Sequence, residues 1–132
     1  MGAAAIVGPP GSLAAMTGDD AATAYPGMYP EGFEFDNSIP ARILLRFGTY
    51  RPGREAKRVL CPLLVIVAGS DTITPPAPAR RAAALAPKGE LLSFSGRHFD
   101  IYRGPDFEWA VEHETEFLAR VLGRPTDQAP SS

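Results

Sequence analysis

The chain has 132 residues, 45% of them hydrophobic and 21% charged, with a formal net charge of -2. That length suits one small domain, and the near-neutral charge excludes the basic footprint of a nucleic-acid or anionic-membrane binder. A single cysteine, Cys61, excludes an internal disulfide and a metal site built from several thiolates. No cofactor-binding motif and no metal-ligand spacing stands out.

Gly 13 and Pro 14 together make about a fifth of the chain, against about 12% in average usage. They gather in the first half. The division expected from this is an irregular or helical lid or connector over 1–60, a regular unit over 61–123 and a flexible tail over 124–132. The longest apolar run, residues 63–69, falls far short of the roughly 20 residues that cross a bilayer. The opening Met1-Gly2-Ala3-Ala4-Ala5-Ile6 has neither the basic start of a signal peptide nor the hydroxyl residue of a myristoylation signal. The expectation is a cytoplasmic protein.

In chain order, Gly8-Pro9-Pro10-Gly11 marks a turn, and residues 12–16 read as a short helix with Ser12 as its N-cap. The stretch from Tyr25 to Phe35 sets aromatic rings between Pro26, Gly27, Pro30 and Gly32. It is too broken for a regular helix or a central strand. Tyr25, Tyr29, Phe33 and Phe35 read as the packing of a lid, with an acyl pocket as the other reading. Residues 37–47 read as a helix, because Ile39, Ile43, Leu44 and Phe47 recur at helical spacing. Arg51-Pro52-Gly53-Arg54 interrupts, and residues 55–59 add a turn of helix.

From there the pattern is regular. Residues 63–68, Leu-Leu-Val-Ile-Val-Ala, form an uninterrupted β-rich run between Pro62 and Gly69, the mark of a strand buried on both faces in a parallel sheet. Residues 76–86 form an alanine-rich helix, and residues 90–94 a second strand. Residues 106–122 form a long helix with Phe107, Ala110, Val111, Leu118 and Val121 as its apolar stripe. Strand, helix, strand, helix implies an α/β fold with right-handed parallel crossovers.

In such a sheet the carboxyl ends of the strands share one edge, where ligands and reactive groups collect. Asp71 follows the first strand in Ala68-Gly69-Ser70-Asp71. His98 follows the second in Gly96-Arg97-His98-Phe99-Asp100. Adjacent strands lie about 4.8 Å apart, so the two loops can bring carboxylate and imidazole together. A carboxylate on one ring nitrogen leaves the other free as a base. The plainer reading makes Asp71 a helix cap or Asx turn and His98 an ordinary buried or surface residue. His113, among Glu112, Glu114 and Glu116, reads as solvated. Asp100 reads as a turn residue rather than a second acid.

Residues 61–122 resemble the C-terminal part of an α/β-hydrolase, in an esterase- or dienelactone-hydrolase-like branch. The run Cys61 to Pro76 is similar to the family's penultimate strand and acid loop, the Gly96 to Asp100 stretch to its histidine loop, and residues 105–122 to its last helix. The resemblance implies a serine hydrolase of ester or similar acyl bonds, with Asp71 as triad acid and His98 as base. The order acid then histidine matches the family. The family's nucleophile motif, Gly-x-Ser-x-Gly, does not occur in the 132 residues. Ser12 stands between Pro10 and Ala14, and Ser38 between Asp36 and Pro40, neither after an expected strand. The expectation is a C-terminal fragment, inactive alone, with a small ester-type substrate if complemented. The alternative is a non-catalytic interaction module, or half of a split hydrolase, that self-associates or pairs through an exposed strand edge. A flavodoxin-like ligand binder using Asp71 is a third class, and it leaves the His98 loop unexplained.

Overall fold

The computed structural model of the protein describes residues 2–123. The C-terminal half follows the sequence pattern closely. Strand β4 (Leu63–Ala68) leads through helix α3 (Ala77–Leu85) to strand β5 (Gly89–Phe94), and helix α4 (Gly104–Leu122) closes the unit. The two strands are parallel and paired over their whole length, from Leu63 opposite Gly89 to Ala68 opposite Phe94. Parallel pairing needs a crossover element, and α3 supplies it, opened by Pro76 and Pro78 and packed against β4 and β5. The fold is α/β with parallel strands and flanking helices.

β4 differs from expectation in its burial: only Val67 is fully buried and its neighbours are half-exposed. A sheet of two strands offers too little area for helices to cover both faces. The same limit shows in the core, which among the described residues consists mainly of small side chains. Ala4, Ala21, Ala56, Ala83, Ala86 and Ala110 are buried with Val7, Val67, Phe94 and Phe99. Helix α4 buries only part of the expected stripe, Ala110 fully and Val121 by half. Trp109, His113 and Phe117 are also half-buried, whereas Phe107, Val111 and Leu118 stay exposed. The Trp109 ring anchors this face against Phe94, with centroids 6.0 Å apart.

The first 60 residues hold more strand than the sequence reading expected. Strand β1 (Ala3–Gly8) pairs in parallel with β2 (Ala14–Thr17) and antiparallel with the two-residue β3 (Ile39–Pro40). The helix expected over 12–16 is therefore a corrected reading, since its second half is strand. Ser12 is a turn residue whose hydroxyl donates to Pro9 O at 2.7 Å. The helix expected over 37–47 is also corrected. It is replaced by β3, a 3-10 turn (Ala41–Ile43) and one turn of helix α2 (Leu44–Phe47). Asn37 explains the change. Its amide oxygen accepts from the Ile6 and Val7 N–H groups, each at 2.9 Å, and its amide nitrogen donates to Val7 O at 2.9 Å. A side chain bound along β1 in this way holds the chain extended where a helix would begin. Helix α1 (Asp19–Ala24) and two 3-10 helices (Pro26–Met28 and Pro52–Arg58) complete the segment. The tail expected over 124–132 lies outside the described residues.

Candidate functional site

The loops leaving β4 and β5 are fastened together before either reaches its functional side chain. Gly69 N–H donates to Phe94 O at 2.7 Å, Ser70 N–H to Gly96 O at 3.1 Å, and the Ser70 hydroxyl to Ser95 O at 3.0 Å. A Cβ on Gly69 would lie 3.0 Å from Phe94 O, so the close approach favours glycine there. These contacts continue the sheet ladder beyond the strands and hold Asp71 beside His98.

Asp71 divides its carboxylate between two tasks. Oδ1 accepts from the backbone N–H groups of Ile73 (2.9 Å) and Thr74 (2.8 Å), the Asx turn of the plainer reading. Oδ2 lies 2.8 Å from His98 Nδ1 and accepts from the Thr74 hydroxyl at 2.7 Å. The two readings of Asp71 are thus compatible, because the turn aims the oxygen that meets the imidazole. The Asp71 side chain is 8% exposed and that of His98 22%. Burial pushes the Asp71 carboxyl upward, but the hydrogen bonds from His98 and from the Thr74 backbone and hydroxyl, with the attraction of His98, outweigh it and hold the carboxyl below its usual range. Beside an ionised carboxylate, Nδ1 is the nitrogen that carries the ring proton, and Nε2 keeps its lone pair.

Asp71, Thr74 and His98 line a cavity of about 210 Å³ with Ile66, Phe94 and Tyr102. A larger hollow of about 530 Å³, beside Ile43, Phe47 and Tyr50, contains none of these residues. Phe99 is buried behind His98, with ring centroids 4.7 Å apart and perpendicular planes. On its other side Phe99 meets Tyr25 at 5.8 Å, and Tyr25, Tyr29, Phe33 and Phe35 form one aromatic group. Arg97 reaches Asp20 at 2.5 Å, and Arg103 donates to Gly27 O. The aromatic segment is therefore tied to the histidine loop by ring contacts, with Arg103 joined to its Gly27 and Arg97 of the loop joined to the preceding helix α1.

The remaining candidates have local partners. Asp100 Oδ2 accepts from Arg97 N–H at 2.7 Å, as a turn residue does. His113 is half-buried against Trp109, with its Nδ1 2.8 Å from Trp109 O, so its solvated reading is corrected. Among the described residues no serine hydroxyl hydrogen-bonds His98. No group of three His, Cys, Asp or Glu side chains among them is arranged to hold a metal, and no helix among them is long and apolar enough to cross a membrane. Thr74 escaped the sequence reading. The available signal was the Asp-x-x-Thr spacing, which places a hydroxyl over an Asx turn.

No family model matches the chain. It is 32% identical over 117 residues to the quorum-quenching protein AidA of Acinetobacter baumannii, an alignment covering 89% of this chain and 38% of that protein. It is 31% identical over 99 residues to an uncharacterized 31.7 kDa protein of the Escherichia coli traX-finO intergenic region, covering 73% and 34%. The chain thus spans little more than a third of the length of these relatives. Among solved structures it is similar to the monoacylglycerol lipase of Paleococcus ferrophilus, with a TM-score of 0.54 and 22% identity over 76% of this chain and 41% of the lipase. The chain has an α/β-hydrolase-like fold.

Proposed function

We propose that the chain is the acid- and histidine-bearing C-terminal portion of a serine hydrolase acting on ester or similar acyl bonds. The observation that carries this reading is the Asp71–His98 contact of 2.8 Å at the carboxyl ends of two paired parallel strands. In the complete site a serine oxygen attacks the acyl carbonyl while His98 Nε2 takes its proton. His98 then returns that proton to the departing alcohol, leaving an acyl-enzyme that water hydrolyses by the same route. Asp71 holds the ring and stabilises it when charged. The nucleophile belongs to a Gly-x-Ser-x-Gly elbow outside these 132 residues, and the oxyanion-hole donors come with it. The similarity of fold to a monoacylglycerol lipase supports an ester as the substrate class. A cytoplasmic setting belongs to the proposal, with Cys61 free and exposed.

Incubated alone with p-nitrophenyl esters and a fluorophosphonate probe, the chain is expected to hydrolyse at the buffer rate and to take no label. Fused behind a segment bearing Gly-x-Ser-x-Gly from an α/β-hydrolase, it is expected to gain esterase activity. Asp71→Asn should then lower that activity about 10⁴-fold, and His98→Ala at least as much. Labelling of any serine in the isolated chain, or full activity of the fused His98→Ala protein, overturns the reading. The second reading, an interaction module that self-associates or pairs with another chain, rests on exposed apolar residues. Leu13, Leu45 and Leu60 are 78%, 82% and 74% exposed, and among the described residues no strand but β5 pairs with β4. A stable dimer without complementation favours that alternative.

A further inference from the structure

Thr74 stands three residues after Asp71 and touches both members of the pair. Its backbone N–H occupies Asp71 Oδ1 at 2.8 Å, its hydroxyl meets Oδ2 at 2.7 Å, and the same hydroxyl oxygen lies 3.0 Å from His98 Nδ1. With Nδ1 only 2.8 Å from Oδ2, three polar atoms form a closed triangle.

Counting protons decides how the triangle is wired. With Asp71 ionised, it holds one hydroxyl proton and, at most, one ring proton. The hydroxyl proton goes to Oδ2, along the shorter and charge-assisted contact. The hydroxyl lone pairs then face Nδ1, which is satisfied only if Nδ1 bears hydrogen. Were the ring proton on Nε2, the Nδ1 lone pair would confront those of Oδ2 and Oγ1, with one hydroxyl proton to serve both. We infer that Thr74 is a positioning residue: its hydroxyl pins Asp71 Oδ2 and offers the His98 Nδ1–H a second acceptor, fixing the ring's tautomer and tilt. Threonine suits the task, because its β-branch restricts χ1 and keeps the hydroxyl over the turn. The ring proton is thereby held away from Nε2, the nitrogen that must act as base in the proposed hydrolase. The catalytic meaning of Thr74 rests on that proposal, but the wiring does not.

The test uses the full chain labelled with ¹⁵N at histidine. In the wild type the neutral His98 ring should report protonated Nδ1 and bare Nε2, with a Nδ1 proton protected from exchange. Thr74→Val keeps the shape and removes the hydroxyl. It should speed exchange of that proton about tenfold, the scale of one lost hydrogen bond, because Asp71 is then its sole acceptor. Thr74→Ser should restore the wild-type spectrum. If Thr74→Val does not fold, Thr74→Ala against Thr74→Ser makes the same comparison. Exchange in the hydroxyl-free variant within twofold of wild type overturns the inference, as does a serine variant that behaves like it. Spectra need no substrate, so failure of the fused protein to hydrolyse esters defeats the hydrolase reading while leaving the wiring intact. Unchanged spectra beside an active fusion defeat only the role of Thr74.

Discussion

Gly96 sits between the end of β5 and His98, where the chain passes close to the Phe94 ring. A Cβ added there would overlap Phe94 Cε2, lie 2.8 Å from Cδ2 and 2.9 Å from Asp106 Oδ2. Ordinary contact begins at 3.4 Å, so the ring or the loop must yield by about 1.0 Å to clear Cε2. Phe94 cannot move freely, since it is buried and held against Trp109. The backbone at Gly96 is free of the left-handed strain that would complicate the result. Gly96→Ala is therefore an overpacking change, worth about 1–3 kcal/mol. For a chain of this size a loss of about 2 kcal/mol lowers Tm by roughly 6–10 °C. Thermal unfolding followed by circular dichroism measures it. Gly27→Ala is the control, because a Cβ there meets nothing within 4 Å, and its effect should stay within about 0.5 kcal/mol. If Gly96→Ala melts with the wild type to within about 1 °C, the contact between histidine loop and core is wrong. A 1 Å shift of a catalytic group can cost about 100-fold, so the fused hydrolase should lose esterase activity in the same variant.

Asp71 makes folding sensitive to acid. Its carboxyl titrates below the usual range in the folded chain and near 4 in the unfolded one. The stability from its hydrogen bonds is thus fully present above about pH 4 and is lost as pH falls through the lower folded value. Urea midpoints measured from pH 6 to pH 2.5 should fall less steeply for Asp71→Asn than for the wild type, and parallel curves would count against the contact. Phe99→Ala removes a buried ring between His98 and Tyr25 and should cost about 3 kcal/mol or more by urea titration. Phe33→Ala, at a ring 57% exposed, should cost less than about 1 kcal/mol. Equal losses would place the centre of the aromatic group elsewhere.

Local signals made the second half of the fold legible. The run from Leu63 to Ala68 needed only its own β-branched residues and its flanking Pro62 and Gly69. α4 announced itself through its apolar stripe, and strand geometry allowed the Asp71–His98 encounter, with an Asx turn as the plainer reading of Asp71. The first half was opaque, because distant partners decide it. Ala3–Gly8 holds only two β-branched residues and becomes a strand by pairing with Ala14–Thr17 and Ile39–Pro40. Asn37 reads as a helix N-terminus until its amide is found on β1, thirty residues away. The inward face of α4 was partly misjudged because hydrophobicity favoured Phe107 and Val111, whereas the docking of Trp109 on Phe94 set the helix's rotation. Thr74 went unnoticed because a threonine beside a proline carries no signal until the Asx turn forms beneath it.

The fastening of the two loops has a kinetic consequence. Gly69 and Ser70 donate their amides to the β5 side, to Phe94 O and Gly96 O, so neither loop can lift away while the other stays in place. Their amide hydrogens should exchange with deuterium at the pace of the β4–β5 ladder rather than that of exposed turns. The acid and the imidazole then share a single opening event, and each encounter between them lasts as long as the sheet end remains shut.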